Sequence, residues 1–142
     1  GPVPGPTVVT PTTVPTSAPT SSSTPDAGPI TPDKVVWREN YDKAVLESNR
    51  TGKPVLIFFT TTWCPYCKKV EDNVWTDQEI IETVAESYVP VKVDLDKHPD
   101  LGGRHGVKAV PRIIVYNFQD DEEVLRISGW YPDIEVYRDA LD

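Results

Sequence analysis

The stretch PVLIFFTTTWCPYC, residues 54–67, constrains the fold more than any other part of the chain. Its first seven residues form a continuous apolar run of strand length. Such a run suits a strand buried on both faces, in the middle of a sheet with helices on each side. Both cysteines of the chain, Cys64 and Cys67, follow at its C-terminal end. Pro65 between them is suited to the first position of a helix, where a missing N–H costs nothing. The next residues continue a helical pattern, with Cys67, Val70, Glu71 and Val74 on one side.

The flanking segments alternate in the same way. Residues 39–53 carry Tyr41, Ala44 and Val45 at helical spacing, with Leu46 and Ser48 extending the stripe, and Gly52 and Pro54 stop the helix. A second amphipathic helix opens at Thr76 or Asp77 and repeats Ile80, Ile81, Val84 and Ala85. Val89, Val91, Val93 and Leu95 alternate as in a strand, and residues 98–110 are a polar, glycine-bearing connection with room for a short helix. Residues 111–118 and 124–128 are two strands joined by a charged turn, and Pro132 is placed to open a last helix. Strands joined by a short turn are antiparallel, whereas strands joined through a helix are parallel. The expected fold class is therefore α/β, with a mixed central sheet flanked by helices.

Composition separates this unit from what precedes it. Residues 1–33 hold nine of the fifteen prolines and eight threonines, with no aromatic residue, Lys or Arg. They offer little apolar surface to offset the entropy of ordering, so they read as a disordered Pro/Thr/Ser-rich tether, with 34–142 as one folded domain. Tracts of this kind commonly hold an exported domain off a membrane or wall, and a periplasmic or cell-surface-tethered location is the expectation. Gly1-Pro2 resembles the remnant of a cleaved tag, so a native signal or anchor upstream stays open. The net charge of −8, with basic residues scattered, provides no stripe for a phosphate backbone, and nucleic acid is not an expected partner.

A Cys-x-x-Cys pair admits three readings. As a staple it closes a four-residue loop, worth roughly 2 kcal/mol of unfolded-state entropy, which is poor value. As a structural zinc site it supplies two of four ligands, and the remaining candidates, His98 and His105, are spaced outside the usual pattern. As a redox couple it is well placed. A cysteine between a buried strand and a helix N-terminus meets unpaired N–H groups and the positive end of the helix dipole, which favour a thiolate.

Over residues 34–142 the chain also resembles the thioredoxin fold family, and within it exported thioredoxin-like proteins such as the C-terminal domain of the electron transporter DsbD. The similarity is carried by NYDKAVLESNRTGKPVLIFF, WCPYCKKVE, DLDKHPDLGGRHGVKAVP and Gly129 before the last helix. The resemblance implies a thiol:disulfide oxidoreductase of the protein disulfide reductase type. Cys64 would attack the substrate disulfide and Cys67 resolve the mixed disulfide, leaving a redox-active Cys64–Cys67 disulfide. Trp63, Pro65, Tyr66, Val110 and Pro111 would form the substrate-binding rim, with Pro111 as the family's cis-proline. Only about 5–6% of X–Pro bonds are cis in folded proteins, so this expectation rests on the resemblance. Protein thiols and disulfides and an upstream redox partner are the implied partners of a monomer that carries neither cofactor nor metal.

One position departs from the family. Thioredoxins usually carry a buried aspartate six residues before the first cysteine, where it helps deprotonate the second, and here that residue is Phe58. Glu71, four residues after Cys67, is the candidate substitute, set against a plain solvated Glu71–Lys68 pair worth a few tenths of a kcal/mol. The Pro-Tyr between the cysteines is shared with glutaredoxins and leaves a glutathione-dependent reductase open. A disulfide-forming oxidase or isomerase, and a Cu(I)-binding or partner-binding module using the two thiolates, stay open as well.

Overall fold

The computed structural model of the chain describes residues 32–142. Of the expected tether, residues 1–31 lie outside the described residues. Strand β1, Val55–Thr60, is buried along its whole length, because it is covered on both faces and paired at both edges. It pairs in parallel with β2, Val89–Asp94. Its other edge pairs antiparallel with β3, Arg112–Asn117, which pairs antiparallel with β4, Glu122–Ser128. The strand order β2-β1-β3-β4 gives the mixed sheet expected from the connections.

Alternation along β1 sends its side chains to two cores. Leu56 and Phe58 join one, together with Cys64, Cys67, Val70, Ile80, Ile81, Val84, Tyr137 and Leu141. Apart from Cys64, which caps the first of them, these come from helices α2, Pro65–Asn73, α3, Gln78–Ser87, and α5, Ile134–Leu141. Val55, Ile57 and Phe59 join the other, under α1, Tyr41–Thr51, and the short α4, Pro99–Arg104. Both thiols thus belong to the α2/α3/α5 face.

The helix ends follow from their caps. Asn40 Oδ1 accepts the Lys43 N–H at 2.8 Å to open α1. Gly52, at φ 80°, closes it by donating its N–H to Ser48 O at 2.8 Å. Asp77 rather than Thr76 caps α3, with its side chain accepting the Ile80 N–H at 3.1 Å. The last helix begins later than Pro132: Asp133 is its cap and accepts the Glu135 N–H at 3.0 Å. Two expected core positions also face outward. Leu46 is 67% exposed and Ala85 is exposed, because the buried stripes run through Tyr41, Ala44 and Ser48 and through Ile80, Ile81 and Val84.

Before α1, the segment 34–38 lies along β2. Val35 is buried in the α2/α3/α5 core, and Arg38 forms a parallel bridge to Val91, donating its N–H to Pro90 O at 2.9 Å. The Arg38 guanidinium also grips both carboxylate oxygens of Glu47 at 2.6 and 2.9 Å. This fork ties the entry segment to α1.

Candidate active site

Where β1 ends, a turn through Thr61-Thr62-Trp63 delivers Cys64 to the N-cap of α2, with extended backbone at φ −80° and ψ 114°. Its Sγ accepts the Cys67 N–H at 3.1 Å. That contact satisfies one of the open donors of the first turn, and Pro65 removes another. The helix therefore presents its positive end to the sulfur of Cys64, as the sequence predicts.

The two thiols are free and sit in unlike places. Cys64 is 6% exposed and lines an open cleft of about 620 Å³. Cys67 is 1% exposed. Burial, followed by the hydrogen bond with Cys64, pushes the Cys67 thiol up to about 11, while the Thr60 side chain and the Thr61 backbone pull the other way. At neutral pH Cys67 is a protonated thiol.

The opposite wall comes from the loop before β3. The Val110–Pro111 peptide is cis, as the resemblance implies. The Cys64 thiol lies 3.9 Å from the Val110 carbonyl, which can accept its hydrogen. Gly129 donates its N–H to Pro111 O at 2.9 Å, holding the end of β4 against this loop. Pro111 is buried and Val110 half-buried, while Trp63 and Tyr66 are 67% and 55% exposed and Pro65 is exposed. Trp63 is nonetheless oriented, since its Nε1 donates to Asp96 Oδ2 at 2.7 Å.

Glu71 borders the same cleft as Cys64. Its partner is Lys92 of β2, with Nζ 2.7 Å from Oε2, and not Lys68, which lies 3.8 Å from Asp72. The parallel register sets Lys92 directly opposite Phe58. The lysine therefore stands beside the strand position where thioredoxins carry their acid, and pairs instead with an acid on α2. Lys92 was not singled out from the sequence, although the Val89, Val91, Val93 alternation places it on the opposite face of β2, the side of Phe58 and the dithiol. His98 is exposed, and His105 is buried with its Nε2 2.9 Å from Tyr41 Oη. No group of three or more His, Cys, Asp or Glu among the described residues is placed to hold a metal.

A capped thiol at the mouth of a helix, a buried thiol one turn below it and a cis-proline loop across from both, on a mixed sheet, define a thioredoxin-fold dithiol domain. The chain belongs to the thioredoxin-like domain family, whose profile matches residues 41–142. It is 36% identical over 98 residues to a thioredoxin of Mycobacterium tuberculosis, an alignment covering 69% of this chain and 78% of that one. Among solved structures, the DsbH oxidoreductase superposes with a TM-score of 0.65 at 21% identity, over 86% of this chain and 94% of that one. The C-terminal domain of Neisseria meningitidis DsbD in its oxidised form superposes at 0.56 and 21% identity, over 70% and 90%. At these identities the two structures show the shared fold. The chain spans only 23% and 46% of the length of two other curated relatives, a protein disulfide-isomerase of Aspergillus niger and a chloroplast thioredoxin of Arabidopsis thaliana.

Proposed function

We propose that the domain is a thiol:disulfide oxidoreductase that reduces protein disulfides through Cys64 and Cys67. The observation that carries this reading is the asymmetry of the pair. Cys64 lies on an open cleft with its sulfur at a helix N-terminus, and Cys67 lies beneath it as a protonated thiol. The Cys64 thiolate attacks one sulfur of a substrate disulfide, that S–S bond breaks, and the leaving thiolate takes up a proton. Cys67 then gives its proton to the Glu71 carboxylate, which Lys92 steadies, and attacks Cys64 Sγ. The mixed disulfide breaks, the second substrate thiol leaves, and two electrons have passed to the substrate. A donor dithiol restores the pair by the reverse exchange.

The backbone of Val110 beside Pro111 is the proposed pairing edge for an extended substrate segment. Trp63, Pro65 and Tyr66 supply an apolar rim. The Thr/Pro-rich residues 1–33 are proposed as the tether of a monomeric domain working outside the cytoplasm, on the composition of that segment. No helix among the described residues is long and apolar enough to cross a membrane.

Reduction of insulin disulfides driven by dithiothreitol tests the activity. Wild type is expected to accelerate it and Cys64→Ser to return it to the uncatalysed rate; equal rates for the two would sink the reading. The direction of flow is tested by the Cys64–Cys67 reduction potential, expected between roughly −200 and −270 mV for a reductase, whereas a value near about −120 mV belongs to an oxidant.

A further inference from the structure

Phe58 is not simply a lost acid; it forms one wall of an aromatic box. Trp37 of the entry segment stacks on it with ring centroids 5.9 Å apart at 29°, and Trp75 meets it edge-on at 5.4 Å. The two indoles meet each other edge-on at 5.2 Å. The Lys92 ammonium lies 5.2 Å from the centroid of the Trp37 ring, over its face, while bonding Glu71 at 2.7 Å. A cation is attracted to the negative face of an indole, so the Lys92 head is held from two sides. Glu71 and Lys92 also border both the cleft beside Cys64 and a second groove of about 430 Å³ that runs over residues 34–37 and Trp75. The ion pair is the shared wall of the two, and Trp37 lines the second.

We infer that Trp37, on the segment 34–38 ahead of α1, is a positioning residue for the proton step at Cys67. Its ring keeps the Lys92 ammonium in place, and through it the Glu71 carboxylate. In this chain an indole face and a carboxylate on α2 together do what one buried carboxylate on β1 does elsewhere in the family. The inference rests on Glu71 as the proton acceptor of the proposed reaction. It adds that the entry segment, fastened by the Arg38 contacts to β2 and α1, belongs to the redox machinery.

The test follows the release of a preformed mixed disulfide on Cys64 as a function of pH, beside the alkylation rate of Cys64 in the reduced protein. Trp37→Ala should slow release near neutral pH by on the order of tenfold, part of the roughly 10²–10⁴ a positioned base can supply. It should move the pH midpoint of release upward and leave Cys64 alkylation unchanged. Trp37→Phe, which keeps a ring face and the box, should restore most of the rate. Lys92→Gln, which leaves the aromatic box packed, should reproduce the slow release even where the Ala variant fails to fold. Adding Trp37→Phe or Trp37→Ala to it should then cost little more, because the two residues act as one unit. A wild-type pH profile in Trp37→Ala, or effects of Trp37 and Lys92 that simply multiply, would overturn the inference. Glu71→Gln separates the two levels. If it leaves release unchanged, the proton-acceptor reading fails; if it slows release while the Trp37 and Lys92 variants do not, only the role of Trp37 fails.

Discussion

Phe58 and Phe59 are neighbours in one strand, both fully buried, and they face two different interiors. Around Phe59 the imidazole of His105 and its neighbours close on one another. His105 Nε2 meets Tyr41 Oη at 2.9 Å, and the Arg126 guanidinium binds the His105 carbonyl while pairing with Glu123. Tyr41, Tyr116 and Phe118 fill the space around the imidazole. On the Phe58 side, both thiols are reduced, and the Thr61 hydroxyl and Trp75 Nε1 are buried without a partner; among the described residues one such atom, Arg112 Nε, lies on the other face, across the strand pair from Phe59. Buried polar groups are ordinarily paired, and exceptions gather where a reaction or ligand uses them. The Phe59 face ties most of its polar groups to one another, and the Phe58 face carries the reduced dithiol beside two unpartnered polar atoms.

The sharpest way to break this contrast is to truncate each phenylalanine. Phe58→Ala and Phe59→Ala should each cost about 3–5 kcal/mol in urea unfolding, since both empty a close-packed site. Only Phe58→Ala should also shift the pH dependence of mixed-disulfide release, because it removes the support under Trp37. Equal pH profiles for the two variants would erase the functional difference between the faces.

The faces should also fail at opposite ends of the pH scale. The Cys67 thiol is held up at about 11, above its ordinary value near 9. The reduced fold therefore keeps this contribution below pH 9 and loses it as the pH rises toward 11. Thermal unfolding should show the loss in the reduced protein and not in the oxidised protein, which has no thiol there to titrate. An identical alkaline limb in both forms would contradict the assignment.

Helix caps sharpen the comparison at a smaller scale. Asp77 caps α3 on the dithiol face and also binds Arg138 of α5 at 2.6 Å, whereas Asn40 caps α1 on the other face and binds only backbone. Asp77→Ala should cost about 1–2 kcal/mol and Asn40→Ala about 0.5–1. Neither should alter the rate of disulfide exchange once folded.

The smallest effect is on the acid side. Burial, then the charge of Arg104, pulls the His105 imidazole below its ordinary value; Arg126 adds to this and Glu123 opposes it. The fold prefers the neutral ring, so stability is full above about pH 6.5 and declines below it, where the unfolded chain takes up the proton first. Replacing His105 with Gln should flatten that acid limb in thermal unfolding measured from pH 7 to 5, with no change at pH 8 beyond a constant offset.

Much of this was readable from residues alone, for identifiable reasons. The continuous apolar run of β1, the glycine after α1 and the Pro65 start of α2 are local signals, and they place Cys64 at a strand–helix junction without tertiary information. The cis bond at Pro111 was readable only through the family resemblance, because an isolated X–Pro favours trans. Leu46 was misplaced because an apolar residue one step from a helical stripe can be solvent-facing at little cost. Pro132 was misplaced because Asp133, a better cap, follows it. Trp37 and Lys92 meet through the register of β1 on β2 and the docking of the entry segment, which no local pattern encodes.

The central claim, that Cys64 attacks and Cys67 resolves, is tested most directly by trapping. Cys67→Ser, mixed with a peptide disulfide under non-reducing conditions and mapped by mass spectrometry, should accumulate a peptide adduct on Cys64 that only an added thiol releases. The absence of an adduct in that variant, or a stable adduct on Cys67 in a Cys64→Ser variant at the same rate, would contradict it.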